Sequence, residues 1–168
     1  MSGTNSVPSL LKLLVILALL PGCSNVKTYS NTLSKNMHIT TKLDSGSVMM
    51  STNAEFDIHL INARCETDYR GRVYLNDGQS TEVGVPAGEQ IWLDFIFASK
   101  QLLSSNINAV RYDTLLTPRA GYYYRTEVTY KSGIYNVVIQ ETSRDGRTMN
   151  TVKRRPLSSC KPAIAKKE

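Results

Sequence analysis

Apolar residues that return at every second position constrain this chain more than any other feature. A period of two fits an extended strand with one covered face and does not fit a helix. Phe56, Ile58 and Leu60 share one side of such a strand, while Asp57 and His59 take the other. Tyr122, Tyr124, Val128 and Tyr130 alternate with Tyr123, Arg125, Glu127 and Thr129, and Tyr135, Val137 and Ile139 repeat the pattern after Ser132-Gly133. Asn76-Asp77-Gly78 reads as a hairpin turn from Val73 and Leu75 to Val83 and Val85, because these turn residues tolerate positive φ. Pro86-Ala87-Gly88 and Arg119-Ala120-Gly121 are further turns, and Arg144-Asp145-Gly146 precedes a last strand near Arg147 to Val152. Ile91 to Phe97 is bulky at nearly every position, with Trp92 opposite Ile91, Leu93 and Phe95, as in a central strand covered on both faces. Ala98 to Asn108 has room for one short helical turn through Leu102 and Leu103. Many short strands with turns between them leave a sandwich or an open barrel. The pattern predicts an all-β, antiparallel β-sandwich, immunoglobulin- or transthyretin-like, over residues 37–160.

The chain ahead of this domain is of a different kind. Met1 to Lys12 is polar with one positive charge, and Leu13 to Leu20 is an apolar run. That run is too short for a membrane span, which needs roughly 20 apolar residues, and it stops at Pro21-Gly22. Leu20-Pro21-Gly22-Cys23 resembles the lipobox of bacterial lipoprotein signals, with leucine three residues before the cysteine and glycine directly before it. Pro21 departs from the small residue usual at its position. The resemblance implies a signal peptide over 1–22, cleavage before Cys23, and palmitate or a similar acyl chain on Cys23 in a Gram-negative envelope. Ser24, where aspartate would favour the inner membrane, implies the outer membrane, facing the periplasm or the cell surface. Two or three acyl chains anchor firmly, since each buried methylene contributes about 0.8 kcal/mol. Residues 23–36, rich in Ser, Asn, Thr and Lys, read as a flexible tether, and 161–168 as a basic tail. Val-Pro-Ala-Gly and Ala-Gly-Tyr-Tyr-Tyr are also similar in spacing to several small bacterial β-sandwich lipoproteins.

With Cys23 in the signal, Cys65 and Cys160 remain, and an even remainder in an oxidising compartment points to one disulfide. Two free thiols or a metal pair is the alternative, although neither cysteine has a Cys-x-x-Cys partner or a nearby histidine. No metal or cofactor is expected. His38 and His59 are the two histidines, and neither sits in a hydrolase, metalloprotease or nucleotide-binding motif. Asp57, Asp94 and Glu127 read as solvent-facing or structural strand carboxylates, so the expectation is that the protein is not an enzyme and has no catalytic residues. Tyr122, Tyr124, Tyr130 and Tyr135 form a stripe that either packs in the core or offers rings to sugar or peptide.

Charge is uneven along the chain. From Cys23 to Ser143 there are 11 Lys and Arg against 12 Asp and Glu, whereas Arg144 to Glu168 holds 8 against 2. Lys153, Arg154, Arg155, Lys161, Lys166 and Lys167 make a cationic end suited to anionic lipid, acidic glycan or an envelope protein complex, or else a solvated tail. Nucleic acid is not an expected partner, since no recognition motif accompanies the charge. The expectation is a lipid-anchored, non-enzymatic envelope module that binds or assembles; a cell-wall glycan hydrolase or hydrolase inhibitor is the alternative.

Overall fold

The computed structural model describes residues 26–44, 50–101, 107–131 and 133–162. Cys23, the Leu102-Leu103 pair and residues 163–168 lie outside the described residues. The strands are β1 (Met37–Asp44), β2 (Met50–Ile61), β3 (Thr67–Leu75), β4 (Ser80–Val83), β5 (Ile91–Gln101), β6 (Ile107–Leu116), β7 (Tyr122–Lys131), β8 (Ile134–Ser143) and β9 (Met149–Thr151), with one 3-10 turn at Leu157–Ser159. They form a five-stranded sheet, ordered β4-β1-β7-β8-β9, and a four-stranded sheet, ordered β3-β2-β5-β6. The two inner faces make a β-sandwich. Met37, Ile39, Tyr124 and Val128 from one sheet meet Phe56, Ile58, Leu93 and Phe95 from the other, all essentially inaccessible to water. Full burial of each large apolar side chain contributes about 1.5–3 kcal/mol, and Phe56 and Phe95 also stack, with centroids 5.1 Å apart.

The two-residue alternation chose the inward face correctly, but several local expectations change. Asn76-Asp77-Gly78 does not close a hairpin: β3 and β4 belong to different sheets. The turn bonds instead to β1, where the Leu43 N–H donates to Asp77 Oδ1 (2.6 Å) and the Thr41 N–H donates to the Gln79 carbonyl. The sandwich is not wholly antiparallel either, because β1 pairs with β7 in parallel, Met37 beside Tyr124 and Asp44 beside Lys131. Turn residues specify only the pairing of consecutive strands, whereas a parallel pair needs a long crossover. β1 and β2 lie in opposite sheets, unlike the immunoglobulin order, whose first two strands share one. That leaves the transthyretin-like alternative. Ala98 to Gln101 continues β5, and the turn expected through Leu102 and Leu103 falls outside the described residues.

The expected tether is the largest departure. Residues 26–36 lie as a strap across the open flank between the edge strands β3 and β4. The Tyr29 N–H donates to the Arg72 carbonyl (2.9 Å), the Arg72 N–H to the Lys27 carbonyl (2.8 Å), and Thr28 forms a parallel bridge with Arg72. The Tyr29 hydroxyl donates to the Gly84 carbonyl (2.6 Å). Asn31 and Asn36 act as adaptors: Gly84 N–H donates to Asn31 Oδ1 (2.6 Å), and Asn36 donates to and accepts from the Val85 backbone (2.9 and 2.8 Å). The polar composition that suggests a solvated linker is therefore spent on unpaired edge backbone. Two glycines make room. A Cβ on Gly71 would stand 2.6 Å from the Tyr29 backbone, and one on Gly84 would stand 2.5 Å from the Leu33 carbonyl oxygen.

A second strap, 152–160, crosses the opposite flank. The Val152 N–H donates to Ile139 on β8 (2.8 Å), then the Leu115 N–H on β6 donates to the Arg155 carbonyl (2.6 Å). The segment ends in the disulfide between Cys65, in the β2–β3 turn, and Cys160, with Cα atoms 6.0 Å apart. Cys65 adopts φ +64°, a left-handed conformation unusual for a side chain-bearing residue.

Candidate functional site

The densest polar arrangement lies on the outer face of the four-stranded sheet. Antiparallel register places Asp57 (β2) beside Asp94 (β5), and Asp94 beside Asp113 (β6). Three carboxylates on adjacent strands would repel one another, and each is met by an arginine. Arg72 grips Asp57 through two bonds of 2.8 Å and also reaches Glu55 at 2.6 Å. Arg111 pairs with Asp94, whose side chain is 1% exposed although that of Arg111 is 62% exposed. Arg154, from the C-terminal strap, donates to Asp113 Oδ1 (2.9 Å) and to its carbonyl (3.1 Å). Asp113 Oδ2 also accepts from Trp92 Nε1 (3.2 Å) and the Leu157 N–H (2.8 Å). Burial pushes the Asp113 carboxyl up, but these donors outweigh it and hold the group below its ordinary range. Hydrogen bonding to Asp57 and to Asp94 raises the Arg72 and Arg111 guanidinium pKa values.

An aromatic row runs beside the carboxylates. His59 lies between Trp92 (centroids 4.4 Å apart) and Tyr69 (5.1 Å), its neighbours on β5 and β3. Its Nδ1 is buried with no hydrogen-bond partner among the described residues. Burial lowers the imidazole pKa, against the opposing pull of Asp57 and Asp94, so the neutral ring is the favoured form at neutral pH. The result is a platform of ring edges, compensated carboxylates and two exposed guanidinium groups, those of Arg111 and Arg154. It can meet a flat ring edge to face and offer hydrogen bonds around it.

The residues singled out in the sequence are distributed differently. Tyr124 and Tyr130 are buried in the core and Tyr122 and Tyr135 are half-buried against it, so the stripe faces the interior. Tyr130 and Tyr135 stack at 4.4 Å, and Tyr135 meets Phe97 at 4.7 Å. The Tyr124 hydroxyl accepts from the Arg119 N–H (2.8 Å) and donates to Glu141 Oε2 (2.8 Å). Burial pushes its pKa up to about 12. The Arg119 guanidinium, aided by Tyr124, holds Glu141 below its usual range against the effect of burial. Arg154 is engaged with Asp113 and lies over the Tyr112 ring at 4.9 Å, while Arg155 contributes backbone bonds to Thr114 and Leu115. Asp57 and Asp94 are buried and structural rather than solvent-facing. Glu127 pairs with Lys42 and His38 with Glu82 on the far sheet.

Tyr69, Arg72, Arg111 and Asp113 went unnoticed in the sequence. Their outward strand positions carried a signal, but only the register of β6 on β5 brings Asp113 to Asp94. A second feature is a cleft of about 380 Å³ beneath the N-terminal strap, lined by Lys27, Tyr29, Leu33, Leu60, Arg70 and Glu89 among others. Among the described residues no cluster of His, Cys, Asp and Glu has the grouping of a metal site. No known protein family, curated protein or solved structure matches this chain.

Proposed function

We propose that the protein is a lipoprotein of the outer membrane, anchored through acylated Cys23 and facing the periplasm, that acts as a non-enzymatic binding or assembly module. The observation that carries the binding role is the row of Tyr69, His59 and Trp92 beside three arginine-compensated aspartates on one sheet face. Such a surface suits an envelope glycan or a peptide strand presenting rings and hydroxyls. A general acid needs a carboxyl held protonated, whereas the oxygens of Asp57 and Asp94 are occupied by guanidinium groups and those of Asp113 by Arg154, Trp92 and the Leu157 N–H. That arrangement favours recognition over hydrolysis. The lipobox carries the anchoring.

Two measurements test the reading. Fatty-acid labelling of the wild-type chain and of Cys23→Ser should give label only in the former. A photo-crosslinking residue at Tyr69 should capture an envelope component in intact cells, while one at Thr129 on the far sheet should not. Equal capture at both positions, or none at Tyr69, overturns the platform as the binding face.

A further inference from the structure

We infer that the end of the sandwich holding the β2–β3 and β8–β9 turns is a docking surface for anionic bilayer headgroups. The anchoring reading supplies the bilayer; the orientation comes from the fold. The N-terminal strap is bonded to β3 from Lys27 onward, its carbonyl also accepting from the Tyr69 hydroxyl (3.3 Å). From Cys23 to Lys27 the chain spans at most about 14 Å, against about 45 Å for a free tether through Asn36. The body is therefore held against the headgroups.

The disulfide brings the C-terminal end to the same place. Cys160 joins Cys65 in the turn just before β3. The Ile61 N–H bonds to the Gln90 carbonyl, and the Gly88 N–H to the Pro118 carbonyl, tying the loops before β5 and β7 to that end. Ser143, which opens the β8–β9 turn, pairs with Tyr122 at the start of β7.

Charge at this end is one-sided once ion pairs are set aside. Glu66, Asp68, Glu141 and Asp145 are matched by Arg64, Arg70, Arg119 and Arg147. Lys27, Arg144 and Lys161, with Lys153 and Arg155 on the strap leading there, are exposed and have no acidic partner among the described residues. Among the described residues, Glu89 is an exposed carboxylate near them with no ion pair. A set of unpaired cations around the exit of a lipid anchor complements a negative membrane surface, and the two attachments reinforce each other through effective concentration.

The test uses the chain from Ser24 onward, which contains every strand and both straps and needs no acylation. It should sediment with vesicles containing phosphatidylglycerol, but not with phosphatidylcholine alone, and be released by salt. Each cation near an anionic surface raises partitioning about fivefold at low salt. The variant Lys27→Gln, Arg144→Gln, Arg155→Gln and Lys161→Gln should then lose at least about tenfold, with an unchanged melting temperature. Lys42→Gln with Lys131→Gln, at the opposite end, should stay within about twofold. No preference for phosphatidylglycerol, or equal losses in the two variants, overturns the inference. Failure of Cys23 labelling would instead overturn the anchor and leave this result standing.

Discussion

The two straps close opposite flanks of the same sandwich by different physics. The N-terminal strap is held by neutral hydrogen bonds from Tyr29, Asn31 and Asn36, and by two positions where only glycine leaves space. The C-terminal strap is held by charge, through Arg154 and Asp113, and by a covalent link. The first depends chiefly on shape, with one exposed ion pair from Lys35 to Glu82, and should respond little to salt and pH and not at all to reductant. The second should respond to all three.

The largest effect should come from removing the covalent link. Cys65 and Cys160 are 95 residues apart, and closing a loop of that length contributes about 4–5 kcal/mol in the chain-entropy model, an upper value. Reduction, or Cys160→Ser, should lower the melting temperature by on the order of 10 °C. In hydrogen exchange the Leu115 amide should lose protection while the Val85 amide keeps it. Simultaneous loss at both would mean that the flanks are one cooperative unit.

Gly84→Ala attacks the other flank. The added methyl meets the Leu33 carbonyl, and overpacking of this kind costs about 1–3 kcal/mol. Here Val85 should become the less protected amide, with Leu115 unchanged. The opposite order of loss would erase the distinction between the straps.

Asp113→Asn should cost about 1–2 kcal/mol, from bonds to a charged group discounted for the half-exposed Arg154. Thermal melts of this variant should lose salt dependence relative to wild type, and an unchanged salt dependence would remove charge from the account of this flank.

The smallest effect is that of pH. His59, Glu141 and Asp113 all have pKa values depressed by folding, so the unfolded chain binds protons more readily than the folded one. Their stability contributions are complete above the unfolded pKa values and fade as pH falls through the folded ones. Melting temperature should be flat between about pH 7 and 9, dip slightly below the ordinary histidine pKa near 6.5, fall further below about pH 4, and fall again above the ordinary tyrosine pKa near 10, because burial raises that of Tyr124. His59→Gln should remove the first dip only; a dip that persists in this variant would assign it to another group.

The contrast between the flanks also explains what could be read from the residues alone. Phe56, Ile58, Tyr124 and Val128 declared their faces because burial imposes a period that composition displays directly. The Cys65–Cys160 pairing was legible by elimination. Asn31 and Asn36 were not, because an asparagine that satisfies a distant backbone looks like one that meets water. The same holds for Asp77, whose partner is β1 rather than the strand across its own turn. The aspartate row was hidden for a further reason: like charges on neighbouring strands look unfavourable until arginines from β3, β6 and the chain terminus arrive. Local pattern gives faces, while long-range register gives the site.

The parallel pairing of β1 with β7 has a consequence for the order in which the molecule can assemble. Contacts such as Lys42 with Glu127 join residues 85 apart, and the N-terminal strap waits for Gly84, more than 50 residues downstream of Asn31. High contact order slows folding, since distant ends must meet before any contact rewards the closure. A chain emerging N-terminus first therefore leaves β1 without either neighbour until β4 and β7 have followed. The strap can close only once Gly84 is available, and the seam of β1 with β7 only once Lys131 is.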